Sequence, residues 1–258
     1  MIEIDLEQGW VRDDGDGGDG GGTRLPLGSA EGFALVSKAW LRAGWDAKYL
    51  YSFTWMGRPI IQLPEDLLRM QEVVYAVRPT LIVETGIAHG GSLVYYASLL
   101  KTMDIPGRVV GVDIEIRPGN RAALEAHELR GYITLLEGSS VAPEIAREVR
   151  ALVRPEDRVM VVLDSDHSKE HMRSELEIYG PLVSRGSYIV AADGIMRSLG
   201  RAPRTRPDWA WNNPRNAAAE FLEVHPEFEL AQPAPVFNEG TLGEPVTYWQ
   251  GGWLCRRE

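Results

Sequence analysis

Residues 81–92 read LIVETGIAHGGS: a short apolar run, then Glu84, then Gly86, and finally Gly90 and Gly91 before Ser92. A run this brief, closed by an acid and a glycine, is the pattern of a buried strand feeding a helix through a tight loop. Downstream the same alternation recurs in RVVGVD (108–113), YITLLE (132–137), RVMVVLD (158–164) and SYIVAAD (187–193). The stretches around 91–101, 119–129, 142–152 and 168–183 are long enough for crossover helices. Strands apolar on both faces and separated by helices predict an α/β fold, a doubly wound, mostly parallel, Rossmann-like sheet. Upstream, EDLLRMQEVVYAV places Leu67, Met70, Val74 and Val77 at helical spacing, with Glu65 and Asp66 at the positive amino end. Before that, YLYSFTW (49–55) alternates with a period of two and predicts a half-buried extended segment in an added aromatic region.

The chain of 258 residues carries 37 acids against 27 Lys and Arg, a net charge of -10. That field disfavours nucleic acid and anionic membrane surfaces as partners. The single Cys255 rules out an intramolecular disulfide, and no run of apolar residues is long enough for a membrane span, so a cytoplasmic protein is expected. The string DDGDGGDGGG (13–22) buries nothing that would offset its ordering entropy and reads as a linker. A calcium loop would need a bidentate Glu and a following helix that it lacks. The expected organisation is a flexible segment over 1–30 and one domain over 31–258. Its core is 66–195, and its substrate-side elements are 196–258.

Ligands of doubly wound sheets bind beyond the carboxyl ends of the strands. The acids there are Glu84, Asp113, Glu137, Asp164 and Asp193. The loop after Glu84 is not a phosphate loop, since no Gly-Lys-Ser/Thr follows, and its glycines do not fit G-x-G-x-x-G. Acid-x-Gly-x-x-x-Gly is the form that S-adenosylmethionine (SAM) sites use, with Glu84 receiving the ammonium and Gly86, Ala88 and Ser92 shaping the loop; glycines serving turn geometry alone give the same string. Asp113 stands where a carboxylate accepts both ribose hydroxyls, or where one caps a helix. Glu137, Gly138 and Ser139 fall in the neighbourhood expected for adenine.

In LDSDH (163–167) and the following Asp193, carboxylates at the ends of adjacent strands can converge on a magnesium ion, with Asp164 and Asp193 as ligands. His167 would take a proton from a hydroxyl as general base, and His171 lies outside the reacting shell. Trp209, Trp211, Trp249 and Trp253 suit either stacking on an acceptor or packing of added elements. The basic stretch RSLGRAPRTR (197–206) breaks the acidic background, either as a loop that meets an anionic substrate or as a solvated surface.

ETGIAHGGSLVYYASLL, GVDIEIRPGNRAALEAH, LLEGSS, LDSDHS and the upstream WMGRPIIQLPEDLLRMQE together resemble the cephalosporin hydroxylase and rhamnosyl O-methyltransferase family over about residues 45–230. More distantly the chain is similar to macrolide sugar O-methyltransferases. The resemblance implies the class I methyltransferase fold, SAM, magnesium, a homo-oligomer, and transfer to an oxygen, often of a sugar on a natural product such as an antibiotic. By position it assigns Glu84, Gly86 and Ser92 to the methionine-binding loop, Asp113 to the ribose, Asp164 to the metal and His167 to the base. One departure stands out: Ala192-Asp193 replaces the family's Glu-Asp. Asp166 or water would then fill the vacancy, or the enzyme would work without metal through His167.

The expected reaction is therefore in-line methyl transfer from SAM to a hydroxyl of a sugar-bearing small molecule. A non-haem iron hydroxylase using His167 and His171 with Asp164 or Asp166, and a non-catalytic binder of an adenosine cofactor, are the alternatives.

Overall fold

The computed structural model describes residues 1–13, 22–240 and 242–257. They form two compact units, Met1–Tyr49 with Ala234–Thr247, and Leu50–Pro233 with Tyr248–Glu258. In the smaller unit β1 (Ile2–Asp5), β2 (Trp10–Asp13) and β3 (Leu25–Pro26) make an antiparallel sheet in that order. Glu3 and Arg12, paired across β1 and β2, meet at 2.6 Å. Helix α1 (Ala30–Asp46) starts at Ser29, whose hydroxyl accepts the Gly32 N–H at 3.0 Å.

This division corrects the expected flexible 1–30 and single domain 31–258. Strands of four residues hold too few alternations to register as periodic, so β1 and β2 were invisible as pattern. Residues 14–21, with most of the linker and the calcium reading, lie outside the described residues.

The larger unit opens with a hairpin of β4 (Phe53–Trp55) and β5 (Arg58–Ile60). Its two-residue turn, Met56-Gly57, has φ of 44° and 82°, the type I′ geometry that matches strand twist. The extended segment expected over 49–55 is thus a strand only in its last three residues, because Tyr49–Ser52 coils into a 3-10 turn. Helix α2 (Pro64–Val77) buries Met70, Val74 and Val77 as its spacing predicts. It also buries Asp66, whose Oδ2 accepts the Tyr248 backbone N–H at 2.9 Å.

The main sheet then builds through β6 (Leu81–Thr85), α3 (Gly91–Thr102), β7 (Arg108–Asp113), α4 (Pro118–Glu125), β8 (Ile133–Glu137) and α5 (Pro143–Leu152). It continues through β9 (Val159–Leu163), α6 (Lys169–Tyr179), β10 (Tyr188–Ala191), α7 (Pro214–Val224), β11 (Phe228–Leu230) and β12 (Trp253–Arg256). Strand order is β11-β12-β10-β9-β6-β7-β8. The five strands read from the sequence are parallel, whereas β12 runs antiparallel to β10 and β11 antiparallel to β12.

Every residue of β6 and β9 is buried, which is why VMVVL and the LIV of β6 read without alternation, whereas Glu84 and Thr85 are buried polar residues at the end of β6. Val83, Val110, Val161 and Leu163 pack with Ile145, Leu176 and Phe221 of α5, α6 and α7 on one face. Trp249 and Trp253, 1% and 0% exposed, fill the core beside the antiparallel edge, so packing is the role of these two. Among the described residues no helix is long and apolar enough to cross a membrane.

The chain leaves β6 for β7 and β8 on one side and returns to β9 on the other. That reversal opens a crevice over the carboxyl ends of β6 and β9.

Candidate active site

At this switch point the loop from β6 meets the end of β9 directly. Gly86, at φ +81°, lies so close that a Cβ there would sit 2.0 Å from the Asp164 carbonyl oxygen. Its absent side chain makes room for the neighbouring strand's backbone. Asp113 joins the same loop from β7. Its Oδ2 accepts the N–H groups of Ile87 (2.9 Å) and Ala88 (3.2 Å), and its Oδ1 accepts that of Glu115 (3.2 Å). A carboxylate has about four acceptor directions, so Asp113 holds the loop with three of them and keeps one for a hydroxyl.

Glu84 is fully buried at the strand end. Its Oε2 accepts the Ser92 hydroxyl at 2.6 Å, while Oε1 has no hydrogen-bond partner. Burial pushes its pKa up to about 8 against the opposing pull of the Ser92 hydroxyl and the Tyr96 phenol. A buried acceptor left unpaired beside a glycine loop is the arrangement a cationic ligand completes.

The third strand end behaves differently. Gly138 N–H bonds the Asp113 carbonyl at 2.8 Å, tying β8 to β7, and Ser139 lies partly buried just beyond it. Glu137 is exposed and pairs with Arg121 at 2.8 Å, so its carboxylate lies on the surface edge of this group. Ser140 is buried and meets His171 Nε2 at 3.1 Å. His171 also meets Ser165 Oγ (3.2 Å) and Glu175 (3.5 Å), and the Glu175 carboxylate raises its pKa. These bonds link the loops after β8 and β9 through His171.

Across the switch point Asp164, His167 and Asp193 each bring one ligand-type atom within 4.8 Å of the others. His167 Nε2 lies 3.6 Å from Asp193 Oδ2, and His167 Nδ1 is buried without a partner. Asp193 reaches this position from a left-handed backbone, φ +57°, a region Asp tolerates better than most residues. Burial, together with the Asp193 and Glu84 carboxylates, raises the Asp164 pKa well above its ordinary value. Three acids turned toward one another favour a positive charge among them.

Asp166 does not join the group. It is exposed, accepts the Ser168 N–H at 2.8 Å and is held below its ordinary pKa, chiefly by its hydrogen bonding to Ser168. It therefore does not stand in for the carboxylate replaced by Ala192, whose side chain is fully buried. An iron site using both histidines also lacks its geometry, because His171 faces Ser140, Ser165 and Glu175.

Sequence reasoning missed three polar residues. Gln62, between β5 and α2, donates to Asp164 Oδ2 at 2.8 Å and is 5% exposed. Arg58 donates to the His89 carbonyl (2.6 Å) and to Asn120 Oδ1 (3.0 Å), and Asn120 Nδ2 donates to the Ala88 carbonyl (2.9 Å). Arg58 and Asn120 thereby fix the cofactor-type loop from outside. All three lie in stretches that carry the family resemblance, Arg58 and Gln62 in WMGRPIIQLPEDLLRMQE and Asn120 in GVDIEIRPGNRAALEAH, but nothing in those strings gives the individual side chain a role.

The model of the family described as rhamnosyl O-methyltransferase/CmcI matches residues 47–257. The chain belongs to this family. Among curated members, the rhamnosyl O-methyltransferase of Mycobacterium leprae is 30% identical over 152 residues, 58% of this chain and 64% of that relative. The Mycobacterium tuberculosis (H37Rv) rhamnosyl O-methyltransferase is 32% identical over 142 residues, 54% of this chain and 56% of the relative. The chain thus spans less than two thirds of the length of either relative. Among solved structures, CmcI with Mg and SAM superposes with a TM-score of 0.53 at 19% identity, covering 81% of this chain and 78% of that one. At that identity the likeness establishes the fold, the Rossmann-like α/β fold of SAM methyltransferases in the rhamnosyl O-methyltransferase/CmcI family.

Proposed function

We propose that the chain transfers the methyl group of SAM to a hydroxyl oxygen of a sugar-bearing small molecule. The observation that carries this reading is the pairing, at one switch point, of a buried unpartnered Glu84 oxygen with the Asp164, His167 and Asp193 group. SAM supplies, when bound, a methyl on a positively charged sulfur, an electrophile that needs no further activation.

The protein's own residues then divide the work. Glu84 Oε1 receives the ammonium of the methionine part, with Ser92 holding the second oxygen in place. Asp113 receives the ribose while bracing the Ile87-Ala88 turn, and Gly138 and Ser139 border the base. His167 takes the acceptor proton at Nε2, its unburied side, and Asp193 beside it stabilises the imidazolium that forms.

A divalent cation fits the donor set. Asp164 and Asp193 supply two hard carboxylate oxygens, which suit magnesium, and such an ion would place positive charge beside the acceptor oxygen. Because magnesium prefers oxygen ligands, His167 stays available as base. A metal that recruits imidazole would instead occupy the same nitrogen, so the two roles exclude one another. Trp211, 60% exposed, follows the Pro207–Ala210 turn and offers a flat face for a sugar ring.

Incubation with methyl-labelled SAM and a set of glycosylated acceptors, with magnesium or with a chelator, tests the reading. Label in the acceptor and release of S-adenosylhomocysteine (SAH) are expected. Tight SAM binding with no transfer to any acceptor would make the chain a non-catalytic binder.

A further inference from the structure

We propose that the acceptor carries an anionic group, phosphate or carboxylate, and that Arg197 and Arg206 recognise it. This rests on the methyl-transfer reading and names its substrate class. Residues 194–207 contain Arg197, Arg201, Arg204 and Arg206 and no acid, in a chain whose net charge is -10. Such a local excess of one sign needs a reason in the structure, and its location supplies one.

Both ends of the arginine segment are anchored at the reacting group. Its first end is Asp193, 3.6 Å from His167 Nε2, and from there the chain enters a 3-10 helix, Gly194–Ser198. Arg197 stands about 8 Å along that helix from Asp193. The second end runs through the Pro207–Ala210 turn, which packs against Gly194–Ser198. It closes at Asn212, whose Oδ1 accepts the Lys169 N–H at 2.7 Å, two residues after His167. Leu199 and Ala202, 2% and 7% exposed, pin the middle of the segment, and the Thr205 hydroxyl donates to the Ala202 carbonyl at 2.7 Å.

Arg197 and Arg206 are exposed on this anchored segment, and among the described residues neither guanidinium makes a hydrogen bond or ion pair. Most other arginines near the crevice are engaged: Arg58 holds the His89 carbonyl and Arg121 holds Glu137. Charge explains the arrangement. The acids at the switch point favour a cationic cofactor and repel an anion, so an anionic acceptor needs fixed positive charge immediately beside them. A guanidinium supplies it with a planar fork that fits phosphate or carboxylate.

The test is equilibrium binding to the SAH-loaded full chain of three probes with the same hexose: a nucleoside diphosphate sugar, the corresponding hexuronate and the neutral methyl glycoside. At least one anionic probe is expected to bind about tenfold or more tighter than the neutral one, the size of a hydrogen-bonded charge pair. Which anion it is separates phosphate from carboxylate. R197A/R206A should abolish that preference, whereas R173A/R185A, the same loss of two charges at exposed positions outside this segment, should keep it. Equal binding of all three probes, or a preference that survives R197A/R206A, overturns the proposal. Methyl transfer measured with the same proteins keeps the two claims apart. Transfer to the neutral glycoside but to neither anionic probe sinks this inference alone, while arginine-dependent anion binding without any transfer sinks the methyltransferase reading.

Discussion

Replacing Glu84 by Gln should make the cofactor-free protein more stable at neutral and alkaline pH while crippling its hold on SAM. The carboxyl titrates at about 8 when folded, against 4.5 in its ordinary state. Between those values the folded chain binds a proton that the unfolded chain has lost. The stabilisation is therefore fully present below pH 4.5 and declines as pH rises through the folded value. The slope is about 1.4 kcal/mol per pH unit, and over the whole window the loss reaches at most about 5 kcal/mol. Gln keeps an oxygen for the Ser92 hydroxyl and never ionises, so E84Q escapes this decline. Urea unfolding of both proteins without cofactor at intervals from pH 5 to 8.5 should show curves that coincide in acid and separate progressively above it, E84Q the more stable.

Cofactor binding should move the other way. At pH 7 a carboxyl with pKa pushed up to about 8 is mostly protonated, so pairing with an ammonium releases the larger part of one proton. Calorimetric titration in buffers of different ionisation enthalpy reads that number directly. E84Q should release none through this position and bind SAM about 10- to 150-fold more weakly, the range for a lost hydrogen bond to a charged group. Unchanged SAM affinity in E84Q, or a stability gap that does not grow with pH, would refute the assignment.

Two further outcomes follow from the same geometry. Gly86→Ala places a Cβ 2.0 Å from the Asp164 carbonyl oxygen at a left-handed φ. Backbone strain and overpacking together should destabilise by about 2–5 kcal/mol, a fall in Tm of roughly 5–15 °C. Gln62→Leu removes the neutral donor that orients Asp164 and should weaken divalent cation binding about tenfold with SAM affinity intact, as read by titration with Mn2+.

The parallel half of the sheet was legible because burial on both faces removes alternation. LIVE and RVMVVLD show the unbroken apolar runs that only doubly covered strands produce. The antiparallel edge was not, since β11 and β12 have three and four residues and lie far apart in the chain, so neither shows a period. Strand-end acids were legible as a set because topology fixes where strands end, and Asp164 and Asp193 meet as that rule requires. Their individual duties were not. Asp166 looks identical to its neighbours in LDSDH, yet its Ser168 turn points it elsewhere, a matter of one local hydrogen bond. Gln62 reaches Asp164 across 102 residues of sequence, and a single polar residue at that separation carries no pattern.

Single-turnover transfer from methyl-labelled SAM by His167→Ala decides whether this crevice moves a methyl group with His167 as base. SAM should bind almost as before, and transfer to the acceptor's hydroxyl should be abolished at pH 7. Transfer retained at that pH would contradict the base assignment.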